Sequence, residues 1–247
     1  MSAPGPLAEI SAEADRLLAA ARRDGVPLRL LGGLAVQRHT RLAALSRETA
    51  DIDLATVARR GPDVSRLLAG EGYRPDEAVN ALNGRRRLLF YDDRNARKVD
   101  VFVGTFEMCH AIPVSDRLDA DPHTIPLAEL LLTKLQIVEL NEKDLRDLIA
   151  LLASQPVGSG DDGIDATRIA ELLADDWGLW RTSRENLHRV RAGIGAYPLS
   201  KADAQRVLDA CDALWEAAEA RPKTLRWRMR ARVGDRRRWF EQPEEVG

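Results

Sequence analysis

The stretch LGGLAVQRHTRLAALSRETADIDLAT, Leu31–Thr56, decides how the chain is read. The apolar run VPLRLL (Val26 to Leu31) leads into Gly32-Gly33, then a helical pattern, LAVQRHTRLAAL, and then the strand-like DIDLAT from Asp51 to Thr56. In a strand the side chains alternate, so Asp51 and Asp53 share one face, roughly 7 Å apart at their bases, while Ile52 and Leu54 enter the other. Carboxylates that converge to about 4 Å repel by roughly 4 kcal/mol at an effective dielectric near 20, so a counter-charge is expected. Magnesium suits the place, because Mg²⁺ takes one or two carboxylates and completes its shell with water and substrate phosphates.

Working outward, Leu7, Ile10, Ala14, Leu17, Leu18 and Ala21 recur at helical spacing up to Asp24-Gly25. Downstream, GPDVSRLLAGEG predicts a short helix, and RRRLLFY and RKVDVFVG flank DDRNA, a hairpin signal. Within KVDVFV, Asp100 alternates against Val99, Val101 and Val103. Paired beside DIDLAT, this strand would line one surface with three carboxylates, Asp51, Asp53 and Asp100, a set that holds two metal ions about 3.5 to 4 Å apart for phosphoryl or nucleotidyl transfer. Gly32 and Gly33, between a strand and a helix N-terminus, let backbone N–H groups approach triphosphate oxygens with no Cβ in the way. Paired glycines are also the residues of a plain tight turn.

Alternating strands and helices place the first part of the chain in the α/β or α+β class. Thr124 reads as a helix cap and Pro126 as a first-turn residue, with Leu127, Leu130, Leu131, Leu135 and Val138 forming an apolar stripe. A further helix is expected from Glu142 to Ser154. SQPVGSGDDG, Ser154 to Gly163, has the composition of a linker, which divides the chain into 1–154, a linker 155–163 and a helical part 164–247.

Composition limits the partners. Thirty-seven basic residues against 39 acidic ones leave a net charge of -2, so no global field draws nucleic acid or an anionic membrane. The N-terminal residues lack a basic region followed by an apolar run, and nowhere do about 18 apolar residues run uninterrupted. A soluble, cytoplasmic protein without a membrane partner is expected. Cys109 and Cys211 read as reduced core residues, with no second cluster to complete a zinc site at Cys109-His110. His39, His110, His123 and His188 follow no catalytic pattern. RPKTLRWRMRARVGDRRRWF, Arg221 to Phe240, holds nine Lys/Arg and one Asp among Trp227, Trp239 and Phe240. Such a segment either binds single-stranded RNA or a tRNA end through phosphates and stacked bases, or packs its tryptophans on the acidic stretch DDGIDATRIAELLADDW.

The order of apolar strand, Gly-Gly, helix, Asp-x-Asp and a later strand aspartate resembles the nucleotidyltransferase superfamily related to DNA polymerase beta. More narrowly, GGLAVQRH, RETADIDL and LLLTKLQIVELNEKDLRDLIALL are similar to the abortive-infection type nucleotidyltransferase-like toxins, over about Leu28 to Leu152. The resemblance implies a polymerase-beta-like domain with a mixed sheet, followed by a helical domain. It implies Mg²⁺, with Mn²⁺ as a substitute, two ions held by Asp51, Asp53 and Asp100, and Asp100 as the group that accepts the attacking hydroxyl's proton. Lys134 would touch the nucleotide phosphates, with Gly32, Gly33, Arg47 and Asp147 completing the nucleotide site. NTP, an RNA, tRNA or protein acceptor, and a cognate antitoxin protein are the partners it implies. Gly33 stands where many superfamily members carry serine, seventeen residues separate it from Asp51, and Lys143 replaces an arginine of the late motif. Two other readings stay open: a non-catalytic RNA- or protein-binding module on the same fold, and transfer to an aminoglycoside-like small molecule. Lys134 has a plain alternative as a lysine whose stem lies along a helix and whose charge reaches solvent, and Asp144 and Asp147 as acids in a helix's first turns.

Overall fold

The runs IDLAT and RKVDVFV set Ile52 and Leu54, and Val99, Val101 and Val103, on one apolar face and are buried along most of their length, as strands in the middle of a sheet are. The structure, a computed structural model, describes residues 5–242 and has them there. Residues 1–4 and 243–247, the outer ends of the two expected parts, lie outside the described residues. The chain runs through α1 (Ile10–Arg23), β1 (Arg29–Leu31), α2 (Gly32–His39), β2 (Ile52–Thr56), α3 (Gly61–Gly70), β3 (Arg74–Pro75) and α4 (Glu77–Asn83). Strands β4 (Arg87–Asp92) and β5 (Arg97–Val103) follow, then the short β6 (Phe106–Glu107) and β7 (Ala111–Ile112). The second half holds α5 (Leu127–Leu135), α6 (Glu142–Ser154), β8 (Val157–Gly158), β9 (Ile164–Asp165), α7 (Ala166–Asp175), α8 (Trp177–Gly193), α9 (Lys201–Ala220) and α10 (Leu225–Val233).

Five strands form one sheet in the order β1-β2-β5-β4-β3. The central pair β2 and β5 is parallel and every other neighbour antiparallel, so the sheet is mixed. A parallel pair needs a long crossover, and the chain from α3 through β4 supplies it. The register sets Ile52 against Val99, Asp53 against Asp100 and Leu54 against Val101. Ile52, Leu54, Val99 and Val101 are fully buried, each worth roughly 1.5–3 kcal/mol of apolar burial. The hairpin expected around DDRNA forms as β4 and β5, with Asp92 paired to Arg97.

Helix α5 is buried from Ala128 to Leu135, as a helix apolar on nearly every side must be. Its two charged side chains are paired. Glu129 accepts from Arg168 Nε at 2.8 Å, and Lys134 is held by carboxylates described below. Helix α6 is buried from Asp147 to Ser154. Apolar side chains from Ala14 to Ala218 belong to one contiguous core. The linker-like stretch 155–163 is pinned at both ends: β8 pairs in parallel with β9, Ile164 N–H donates to Pro156 O at 2.8 Å, and Arg117 bonds Asp161.

Three local expectations change. The helix expected through Leu45 ends at His39, because Thr40 is extended and its hydroxyl bonds back to Val36 O at 2.7 Å; Ala43–Leu45 is a single 3-10 turn. Thr124 does not cap α5. Its hydroxyl meets His39 Nε2 at 2.8 Å, and Pro126 takes the cap position. Helix α5 stops before Val138, where the Asn186 amide donates to Leu135 O and Ile137 O at 2.9 and 2.7 Å. Cys109 and Cys211 are both free and buried, as expected. Among the described residues no helix is long and apolar enough to cross a membrane.

The aromatic rings of the basic segment turn inward. Trp227 meets Trp180 edge-on at 5.3 Å, and Trp180 in turn lies 5.5 Å from Trp215. Trp239 contacts Trp177 at 6.3 Å and Phe240 at 5.5 Å, while Arg230 covers Trp177 at 4.6 Å. Arg221 bonds Glu171 at 2.9 Å and Arg226 lies 3.7 Å from Asp175, so this part of the segment packs on the acidic stretch. Arg228, Arg232, Arg236, Arg237 and Arg238 remain exposed.

Gly178 lets the last described residues lie against α8, since a Cβ there would fall 2.5 Å from Trp239 O. Alanine normally favours a helix by up to about 1 kcal/mol over glycine. Gly178→Ala is nevertheless expected to free the segment around Trp239, with trypsin cutting after Arg237 and Arg238 several-fold faster while far-UV circular dichroism stays unchanged. An unaltered cleavage rate would show that the contact does not hold this segment.

Candidate active site

The parallel register brings Asp53 and Asp100 side by side on one face of the sheet. Like charges so placed destabilise a sheet, and the surroundings answer with positive charge. The half-buried Asp53 has its pKa raised from the usual 3.8 to about 7, first by burial and then by the negative charge of Asp100. Lys134 and Arg87 pull it down, and Asp51 pushes it further up. Among the described residues no hydrogen-bond donor reaches the Asp53 carboxylate. Asp51 lies one residue before β2 and is exposed, at the entrance to the strand.

Gly32 is not in a turn but is the first residue of α2, at φ +67°, where glycine is favoured. A Cβ on it would fall 2.0 Å from Asp53 Oδ2, so only glycine lets the helix start against that carboxylate. A Cβ on Gly33 would fall 2.4 Å from Thr49 Cγ2 and 2.8 Å from Arg47 Nη2. No side chain caps α2, which leaves its first N–H groups as donors for an anion. A cavity of about 440 Å³ is lined by Ser11, Gln37, Arg47 and Thr49 among others, and Arg47 and Thr49 are also the side chains packed on Gly33.

Behind this face, α5 and α6 carry a second set of charges. Arg47 grips Asp147 with two bonds, Nε to Oδ1 and Nη2 to Oδ2, each 2.8 Å. Lys134 Nζ lies 2.9 Å from Asp144 Oδ1 and 2.9 Å from Asp147 Oδ2. Burial would draw the Lys134 ammonium's pKa down, but Asp147 and Asp144 outweigh it and hold the pKa above the usual lysine value. The Asp147 hydrogen bonds likewise raise Arg47. Lys134 is thus a buried, paired cation and not one whose head reaches solvent. Asp144 joins the cluster beyond any service to the helix dipole.

Of the residues singled out from sequence, the fold brings Asp53, Asp100, Gly32 and Gly33 together, with Arg47, Lys134 and Asp147 as one ion-pair group alongside. The residue sequence reasoning missed is Arg87. From β4 it reaches across to Asp100, Nε to Oδ1 at 2.8 Å and Nη2 to Oδ2, and its guanidinium lies 5.2 Å from the Phe102 ring. Its signal was the hairpin: closing DDRNA as a tight turn pairs Arg87 with Phe102 and sets Arg87 diagonal to Asp100 on one face.

Among the described residues no group of three or more His, Cys, Asp or Glu could hold a metal ion by itself. The expected three-carboxylate cage is therefore not closed. The donor chemistry still fits magnesium arriving with phosphates, which needs only one or two carboxylates: Asp53 and Asp100 are adjacent hard-oxygen donors, and Asp53 lacks a hydrogen-bonded counter-charge. Five carboxylates, Asp51, Asp53, Asp100, Asp144 and Asp147, gather with three cations, Arg47, Arg87 and Lys134. When all are ionised, the excess equals the charge of one divalent ion.

Asp53 also sets a pH dependence of stability. Between its unfolded pKa near 3.8 and its folded pKa near 7 the native state binds the extra proton, so stability falls as pH rises through that window and levels off above it. The stability advantage of Asp53→Asn over wild type should therefore grow from pH 4 to about pH 7 in thermal melts, then stay constant. A gap independent of pH would contradict the assignment. No protein-family model matches the chain, and no curated protein matches it.

Proposed function

We propose that the chain is a metal-dependent nucleotidyltransferase on a polymerase-beta-like fold, moving a nucleoside monophosphate from an NTP to a hydroxyl acceptor, with RNA as the acceptor class. The observation that carries this reading is the parallel register of Asp53 against Asp100 beside an uncapped, glycine-started helix N-terminus. Acids that share a face beside orphan N–H donors suit a cation-bearing triphosphate.

The first N–H groups of α2 take phosphate oxygens and orient the triphosphate. Asp53 and Asp100 would hold magnesium, with Asp51 able to swing in from the strand's edge; bound there, the metal neutralises charge on the phosphates and acidifies the acceptor hydroxyl. The acceptor oxygen forms its bond to the α-phosphorus as the bond to the bridging oxygen breaks, and pyrophosphate leaves with that electron pair. Asp100 accepts the hydroxyl proton. The ion pairs of Lys134 and Arg47 with Asp144 and Asp147 are fixed behind the site, with Lys134 countering the charge of Asp53, and cost no rearrangement during reaction.

RNA is favoured over a small acceptor by the exposed arginines on and after α10. Because the tryptophans of that segment meet other rings edge-on within the protein, its contribution is to phosphates, and base stacking is left to other surfaces.

Asp53→Asn and Asp100→Asn should each lower label transfer from a radiolabelled NTP by about 100-fold or more, with circular dichroism unchanged; transfer retained in either contradicts the mechanism. Replacing Arg228, Arg232, Arg236 and Arg237 together with Gln should reduce the slope of log K against log salt for RNA binding by about 3. An unchanged slope would remove this segment from the RNA-binding surface.

A further inference from the structure

We propose that Arg87 is a counter-ion latch on Asp100, holding this carboxylate until a divalent cation and a triphosphate arrive and then transferring its grip to the phosphates. The inference rests on the reading of Asp100 as a metal-holding carboxylate. Arg87 engages both Asp100 oxygens through its planar fork, Nε to Oδ1 at 2.8 Å and Nη2 to Oδ2. A cation that Asp100 would hold must compete with that guanidinium for the same oxygens.

The latch has a built seat. The Arg87 guanidinium rests over the Phe102 ring at 5.2 Å, and Phe102, itself buried, packs on Phe106 with ring centroids 4.6 Å apart. The Arg87 backbone is fixed in β4 opposite Phe102, so an exchange of partners involves its side chain alone. Its positive charge also reaches Asp53, whose pKa it lowers. One guanidinium therefore tempers both members of the like-charged pair. A phosphate presents the same two-pronged acceptor geometry as a carboxylate, which makes the exchange close to balanced for Arg87 while the cation takes Asp100. Metal and nucleotide then strengthen each other's binding, as thermodynamic linkage demands.

Mn²⁺ binding, read by electron paramagnetic resonance of the free ion, tests this with wild type, Arg87→Gln and Arg87→Lys, each with and without an NTP whose α–β bridge cannot be cleaved. Arg87→Gln should bind Mn²⁺ about tenfold more tightly than wild type without nucleotide. Arg87→Lys, which has no fork, should fall between them. Nucleotide should tighten Mn²⁺ binding more in wild type than in Arg87→Gln. Wild type that binds Mn²⁺, with Arg87→Gln no tighter, overturns the latch and leaves the metal reading standing. Absence of Mn²⁺ binding in wild type, even with nucleotide, overturns the metal reading and the latch together. If Arg87→Gln fails to fold by circular dichroism, Arg87→Lys decides, and an affinity equal to wild type overturns the proposal.

Discussion

Two carboxylates set opposite one another in neighbouring strands repel, and a sheet keeps such a pair only with compensation nearby. Asp53 and Asp100 impose that condition, and much of the surrounding architecture answers it. Arg87 arrives from the adjacent strand, Lys134 and Arg47 from the helical layer and the loop before β2, and Asp53 holds its proton to near neutral pH. The parallel pairing of β2 with β5 is what creates the problem, because it fixes the two residues in register. An antiparallel pairing of the same runs would have a different partner opposite each acid.

The helical layer is part of the same arrangement. Burying Lys134 within α5 would be costly if its charge were unanswered. Asp144 and Asp147 answer it, and they are presented by α6, whose apolar face is buried against the same core. Losing either helix's packing would therefore strand a buried charge, which ties the integrity of the core to the electrostatics of the carboxylate face.

What could be read from sequence followed the range of the interaction. Asp100 and its apolar neighbours were legible because strand alternation is local, and the hairpin because DDRNA announces its own turn. The strand expected from Asp51 begins one residue later, at Ile52, which leaves Asp51 exposed at the entrance to β2, close enough for its charge to act on Asp53. Arg87 was overlooked because its role requires the hairpin register to be followed through to a diagonal neighbour. The inward turn of the tryptophans could not be settled by composition, since Trp227 finds its partner in Trp180, far away along the chain and on a different helix. Thr124 had the chemistry of a cap, and His39 claimed its hydroxyl instead.

The clustered rings of α8, α9 and the last described segment have an optical corollary. All five tryptophans fall between Trp177 and Trp239, while the central sheet carries none. Indole emission from this molecule is consequently a gauge of its C-terminal helices, blind at first hand to events around the carboxylates. Any change in that light on adding a nucleotide would have to be relayed through α5 and α6, making the intrinsic fluorophores distant witnesses to the chemistry.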